Sequence, residues 1–229
     1  RQRQMCIRDR CTMLHKNRVK NRTHMTSFRV IIISFFCLIL VGTLLLMLPI
    51  SSRQRCVTSF PDAMFTAVSA TCVTGLVVKD TATYWSLFGQ VVILMLIQIG
   101  GMGVITVGLA IIRASGRKIG LWQRSTMQES ISAPQVGGIV KLTGFILKTS
   151  LIIEMIGAAL LAPVFCNDLG IAKGLWYSLF HSISAFCNAG FDLLGIKEPF
   201  SSLTFYHSNI YLNIIICLLY TSPSPRDTR

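Results

Sequence analysis

The stretch FTAVSATCVTGL, residues 65–76, returns as FHSISAFCNAGF, residues 180–191. With one fixed offset Phe65 falls on Phe180, Ser69 on Ser184, Ala70 on Ala185, Cys72 on Cys187 and Gly75 on Gly190. Each copy sits in a connection between two long apolar segments. Neither is long enough to cross a bilayer, whose hydrocarbon core needs about 20 apolar residues in helical form. A short, half-apolar, glycine-ended segment that occurs twice in matching places governs how the flanking sequence is read.

The 229 residues are 52% hydrophobic and only 14% charged, with a mean hydropathy of +0.60. Soluble domains carry about 25% charged residues, so the chain reads as an all-α polytopic membrane protein. The net charge of +13 does not make it a nucleic-acid binder. Its basic residues lie between apolar spans and not along one face interleaved with aromatics. Eight cysteines without a CxxC pair or histidine partners indicate neither a zinc site nor a disulfide framework.

Both ends read as foreign to the fold. Met5-Cys6-Ile7-Arg8-Asp9 and Cys217-Leu218-Leu219-Tyr220-Thr221-Ser222 can be encoded by DNA strings that are reverse complements of each other, and that string resembles a transposase end used in sequencing adapters. Residues 1–10 and 217–229 are therefore expected to be translated adapter. On this reading the chain stops inside an apolar segment.

Spans are expected at residues 30–48, at about 85–112 and at about 142–165, with a fourth starting near Ser208. Lys16, Arg18, Lys20, Arg22 and Arg29 precede the first span. Arg113, Arg117, Lys118, Arg124 and Lys141 lie between the second and third. The positive-inside rule puts both regions in the cytoplasm and both repeated strings on the outer side. The expected organisation is a basic cytoplasmic head (11–27), a helix–loop–helix unit (28–113), a cytoplasmic linker (114–140) and a second such unit (141–216).

Phe60-Pro61-Asp62 reads as a helix start, with proline in the first turn and an acidic residue at the positive end of the dipole. Residues 62–71 give roughly 15 Å of helix, which reaches only part of the way through the membrane. The chain must then turn back, as a re-entrant loop. The second copy spans about 175–186, with Trp176 and Tyr177 suited to the membrane interface. Non-helical backbone at that depth must be surrounded by protein or line a wet cavity. The segments that follow, Cys72-Val73-Thr74-Gly75 and Cys187-Asn188-Ala189-Gly190, are the expected ion filter. Glycine there permits positive φ, backbone carbonyls can replace the water shell of a potassium ion, and the negative end of each short helix favours a cation. A packing motif of small residues explains one copy, but two copies in register disfavour it. Catalysis is not expected, because His181 has no evident nucleophile or metal partner and His207 lies on the opposite flank of the loop.

The strings SATCVTGLVVKD (69–80), QIGGMGVITVG (98–108) and FHSISAFCNAGFDLLG (180–195), with GTLLLMLPI (42–50), resemble the Trk/Ktr/HKT superfamily of potassium transporters. Within it they resemble the membrane subunit of bacterial Ktr systems, KtrB, and the related TrkH subunits. The resemblance covers nearly all of residues 28–216 and implies potassium-channel-like helix–pore loop–helix units, four around one pore, each with one filter glycine. The matching positions are Gly75 and Gly190. It also implies potassium as substrate, sodium as a candidate coupling ion, a homodimer and a cytosolic nucleotide-binding regulator of the KtrA/TrkA kind. A multi-pass protein of the bacterial inner membrane follows. The alternative is a pore-loop potassium channel that assembles as an oligomer.

Other residues attract attention. Asp80 and Asp192 follow the two loops and are candidates for an outer mouth that attracts cations. Gly100, Gly101 and Gly103 form a hinge or, preferably, a close-packing surface. Glu154 should face protein or water, since a charge in lipid is expensive.

Overall fold

A computed structural model describes residues 27–103, 106–107, 139–195 and 200–221. These residues form helices α1 (Ser27–Met47), α2 (Phe60–Cys72), α3 (Leu87–Met102), α4 (Ile139–Leu169), α5 (Ile171–Phe186) and α6 (Ile210–Thr221), with short 3-10 turns at Pro49–Ser51 and Ser202–Tyr206. Among the described residues the only β pairing is one bridge between Ser52 and Trp85. The expected adapter at 1–10, the basic head up to residue 26 and most of the linker, 114–138, lie outside the described residues. Helix α6 runs on through Cys217 to Thr221, so the first part of the other adapter-like segment is helical.

Two helices are long and apolar enough to cross a membrane, over Arg29–Met47 and Thr143–Leu169. Their outer faces are apolar: Ile32, Phe36, Val41 and Leu44 on α1, and Leu151, Met155 and Ile156 on α4, are exposed. Burying apolar surface is worth about 25 cal/mol per Å² in water, so such faces fit a hydrocarbon surround. Helix α3 is shorter than the expected span. Ser86 caps its start by accepting from the Gly89 amide at 3.3 Å, and it ends at Gly103, whose φ is +87°. Residues 106–107 are again helical, and the end of the expected span lies outside the described residues.

Helix α2 begins where Pro61 and Asp62 predict. Pro61 occupies the first turn, and the Asp62 carboxylate lies 3.7 Å from Lys79 Nζ. Helix α5 starts four residues earlier than expected. Gly170, with φ of +81°, reverses the chain directly after α4, and Ile171 already opens the next helix. That tight reversal brings Gly174 onto α4, where a Cβ would lie 2.5 Å from Cys166 Cα. Tyr177 is buried and meets Phe165 edge-on at 6.3 Å, and Trp176 Nε1 donates to Gln90 Oε1 of α3 at 2.9 Å.

The core joins both halves of the sequence. Trp85, Ile93, Ile97, Leu161, Phe165, Phe180 and Leu193 are fully buried in one cluster. Helix α3 is the shared wall, packed against α1 and α2 on one side and α5 on the other. Its glycines set that spacing. A Cβ on Gly100 would collide with the carbonyl of Thr71, at the end of α2, and one on Gly101 would lie 2.7 Å from Cys187 Sγ, after α5. A Cβ on Gly103 would meet only Thr106 Oγ1, at 3.7 Å. Gly100 and Gly101 thus serve close packing, while Gly103 ends the helix. In the full-length protein Gly100→Ala should cost about 2 kcal/mol, since the overlap is with backbone, and Gly103→Ala about 1 kcal/mol for its positive φ. Thermal unfolding of the purified proteins in detergent checks that order.

Candidate cation-binding site

The two repeated strings fold alike, bond for bond. At the end of α2, Val73 N donates to Ala70 O at 3.3 Å and Thr74 N to Ser69 O at 2.9 Å. After α5, Asn188 N donates to Ala185 O at 3.0 Å and Ala189 N to Ser184 O at 2.8 Å. The serines complete the match: Ser69 Oγ donates to Leu76 O at 2.7 Å, and Ser184 Oγ to Phe191 O at 2.6 Å. Each hydroxyl reaches seven residues ahead and ties the outgoing chain back to its helix. The first turn has two further bonds, from Thr74 Oγ1 to Ser69 O at 3.3 Å and to Ser69 Oγ at 2.9 Å. One turn earlier, Thr66 Oγ1 donates to Asp62 O at 2.9 Å. Its counterpart His181 joins Tyr177 O through Nδ1 at 2.7 Å.

These bonds hold each chain in a left-handed step directly after the helix. Val73 has φ of +60° and its counterpart Asn188 +57°; Gly75 has +74° and its counterpart Gly190 +70°. Asparagine and glycine tolerate that region. For a β-branched valine it is an outlier and costs about 1–3 kcal/mol. The surrounding bonds at Ser69 and Ala70 hold it there.

The two turns meet at their glycines. A Cβ on Gly75 would lie 2.6 Å from Ala189 O and 3.2 Å from Gly190 Cα, and one on Gly190 would lie 3.5 Å from Gly75 Cα. Residues 115 positions apart in sequence are thus in backbone contact. Among the described residues no group donates a hydrogen bond to the carbonyls of Val73, Thr74, Gly75, Asn188, Ala189 or Gly190. Cys72 is exposed, whereas Cys187 is buried against Gly101. A half-open cavity of about 200 Å³ adjoins the second turn, lined in part by Asn188, Gly190, Asp192 and Tyr220.

The two aspartates sit differently. Asp192 is half-buried, lines that cavity, and accepts from Leu194 N at 3.0 Å. Asp80 is 8% exposed. Its Oδ1 accepts from Ala82 N, Thr83 N and Thr83 Oγ1 at 3.0, 2.8 and 2.9 Å. Its Oδ2 accepts from Phe200 N, in the second half of the chain, at 2.9 Å. Gly195 makes room for it, because a Cβ there would overlap the Asp80 carboxylate. Asp80 is therefore a clamp between the halves, its oxygens committed to hydrogen bonds.

His181 is 4% exposed, stacked near Phe165, and held at both nitrogens, with Nε2 accepting from Leu193 N at 3.4 Å. A neutral ring that donates from Nδ1 satisfies both bonds. On the outer rim Tyr206 donates to Asp168 Oδ2 at 2.8 Å. Partial burial, followed by that carboxylate, pushes its phenol up to about 12, so it remains a neutral donor. Among the described residues no cluster of histidine, cysteine and acidic groups could hold a multivalent metal. What the paired turns offer a ligand is backbone oxygen.

The family model for TrkH, described as a cation transport protein, matches residues 4–220. The chain belongs to the TrkH cation transport protein family. It is 42% identical over 204 residues to the potassium/sodium uptake protein NtpJ of Enterococcus hirae, covering 89% of this chain and 44% of that protein. To the Ktr system potassium uptake protein B of Bacillus subtilis it is 42% identical over 207 residues, covering 90% and 45%. The protein of the same name from Vibrio alginolyticus is 35% identical over 182 residues, covering 77% and 40%. The chain thus spans somewhat under half the length of these relatives. TrkH-family members are membrane ion transporters and not enzymes, in line with the lipid-facing surfaces of α1 and α4.

Polar ties outside the paired turns were invisible in sequence. Gln90 and Gln98 belong to no motif that would mark them, and Asp80 reads as a mouth residue. Only the tertiary partners Trp176, Glu154 and Phe200 reveal these as contacts between the halves. Because Asp80 carries four hydrogen bonds, Asp80→Ala should lower stability by about 3 kcal/mol. Asp80→Asn, which can keep part of the set, should lose less. Melting temperatures of the full-length protein in detergent test both.

Proposed function

We propose that this chain contributes two walls of a potassium filter in a Trk-type uptake transporter. The observation that carries the reading is the apposition of Gly75 and Gly190 in matched turns, where no group among the described residues donates to the carbonyls of Val73, Thr74, Gly75, Asn188, Ala189 or Gly190. Oxygen atoms of this kind substitute for the water shell of a monovalent cation. Both turns lie at the C-terminal, partially negative ends of α2 and α5, which favours a cation and disfavours an anion. The filter residues are Cys72, Val73, Thr74 and Gly75 in one turn and Cys187, Asn188, Ala189 and Gly190 in the other. The units are re-entrant pore loops, and ions pass without covalent chemistry. Asp192, beside the cavity, is the better placed of the two aspartates to attract ions.

The names of the relatives support potassium as the transported ion, with sodium as a second or coupling ion. The rest of the reading is a bacterial inner-membrane protein with a cytoplasmic N-terminus. The full-length transporter works as a homodimer with a cytosolic nucleotide-binding regulator. A potassium channel with fewer loops per chain is disfavoured by the uptake-protein relatives, each about twice as long as this chain.

The test is potassium uptake by the complete gene in cells that lack other potassium-uptake systems. Gly75→Asp and Gly190→Asp should each abolish uptake with the protein still present in the membrane, since each puts a charged side chain at a positive-φ step where the two turns meet, and at Gly75 even a Cβ would overlap Ala189 O. Uptake unchanged by either substitution would overturn the filter assignment.

A further inference from the structure

Glu154 lies within the apolar span of α4 and is 3% exposed. Both its carboxylate oxygens accept from Gln98 Nε2 of α3, at 2.8 and 2.9 Å. Among the described residues no cation pairs with it. Its backbone carbonyl accepts from Ser182 Oγ of α5 at 2.6 Å, and Gly157, one turn on, leaves the room that Ser182 needs. On its other side the Gln98 amide reaches the second turn, where Cys187 Sγ approaches Oε1 at 3.9 Å. Gly101, three residues further along α3, rests on the same cysteine. Three helices therefore converge on Cys187, with one carboxamide between it and a buried carboxylate.

The repeat does not demand this arrangement. At the positions matching Glu154 and Ser182 the first half has Ile39 and Ala67, and its helices pack without a carboxylate. A buried charge is commonly replaceable by apolar residues of similar size with no loss of stability, or with a gain. Inside a membrane an ionisable group is more expensive still and marks function. A mere staple between α3 and α4 would be better made as the first half makes it. What the polar pair adds is direction. It fixes the rotation of Gln98, and through Gln98 the place of Cys187, the residue that opens the second turn.

We propose that Glu154 and Gln98 form a positioning pair that fixes the second turn at Cys187 and thereby sets discrimination between potassium and sodium. The proposal rests on the filter reading of the paired turns. The pair touches no ion. It acts through Cys187 on the carbonyls of Asn188, Ala189 and Gly190, whose spacing decides how well a larger or smaller cation is surrounded.

The experiment measures potassium and sodium uptake by the full-length transporter in the same cells, with its membrane level followed by immunoblot. Glu154→Ile, the residue of the first half, and Gln98→Asn, which keeps the amide but shortens its reach, should each lower the ratio of potassium to sodium uptake about tenfold, the equivalent of one hydrogen bond to a charged group. The loss should appear as a higher KM for potassium at a similar maximal rate. Glu154→Gln retains an acceptor for Gln98 Nε2 and should keep the ratio. The double variant should be no worse than the more affected single one, as expected for one coupled pair. Because the ratio is internal to each sample, lowered abundance does not obscure it. An unchanged ratio in Gln98→Asn, or in Glu154→Ile, overturns the positioning role, as does an additive double variant. If Gly75→Asp leaves uptake intact, the filter reading itself is what fails.

Discussion

A helix whose last turn is buried leaves its final carbonyls without water to bond them, and the chain must still find a way out. Both short helices solve this with the same local set. A left-handed residue, Val73 or Asn188, turns the backbone so that the next amides fall on the carbonyls of the final turn. A serine one turn back, Ser69 or Ser184, then donates to a carbonyl seven residues ahead. With both ends of the turn secured, the carbonyls between them receive no donor from the described residues. Everything else in the structure either brings these two turns together or keeps them there.

Helix α3 does most of that work. Its glycines allow contact with the end of α2 at Thr71 and with Cys187 at the second turn, on adjacent residues. Its glutamines supply direction where apolar packing supplies only proximity. Gln90 accepts from Trp176 at 2.9 Å while its own amide donates to Thr81 O and Trp85 O, both at 3.3 Å, and Gln98 reaches Glu154. Asp80 adds a third tie from the loop before α3 to Phe200. Between segments with lipid on their far sides there is little hydrophobic drive for association, and close packing plus interhelical hydrogen bonds must supply it.

The duplication, the helical class and the start of α2 were legible in sequence because they depend on local signals. Pro61 and Asp62 mark the first turn of α2, and the glycines at 75 and 190 mark positive φ. The early start of α5 was not legible. The expected span ended at about 165 and the second copy began at about 175, whereas α4 runs on to Leu169 and only Gly170, in its left-handed step, separates it from α5. Nor were the partners of Trp176 and Tyr177 legible, Gln90 of α3 for the one and Phe165 of α4 for the other. Asp80 illustrates a different limit. An acidic residue after the repeated string has the same sequence signature whether it meets solvent or a backbone amide 120 residues away. Long-range partners of single polar residues leave no periodic trace.

The two halves also differ in ways that matter more than their likeness. Where the first turn holds a strained valine, the second has an asparagine suited to that conformation. Where the first unit packs Ile39 and Ala67, the second places Glu154 and Ser182. Asp80 in one half meets Gly195, its own counterpart, in the other, and the glycine is what makes room for the carboxylate. A repeat kept only for packing would gain nothing from such differences, since apolar residues fill the same space at lower cost. Divergence at positions that support the turns, beside identity at the glycines within them, leaves two turns of one local form held by different surroundings. The shared bonds shape each turn. The unshared ones decide where it stands.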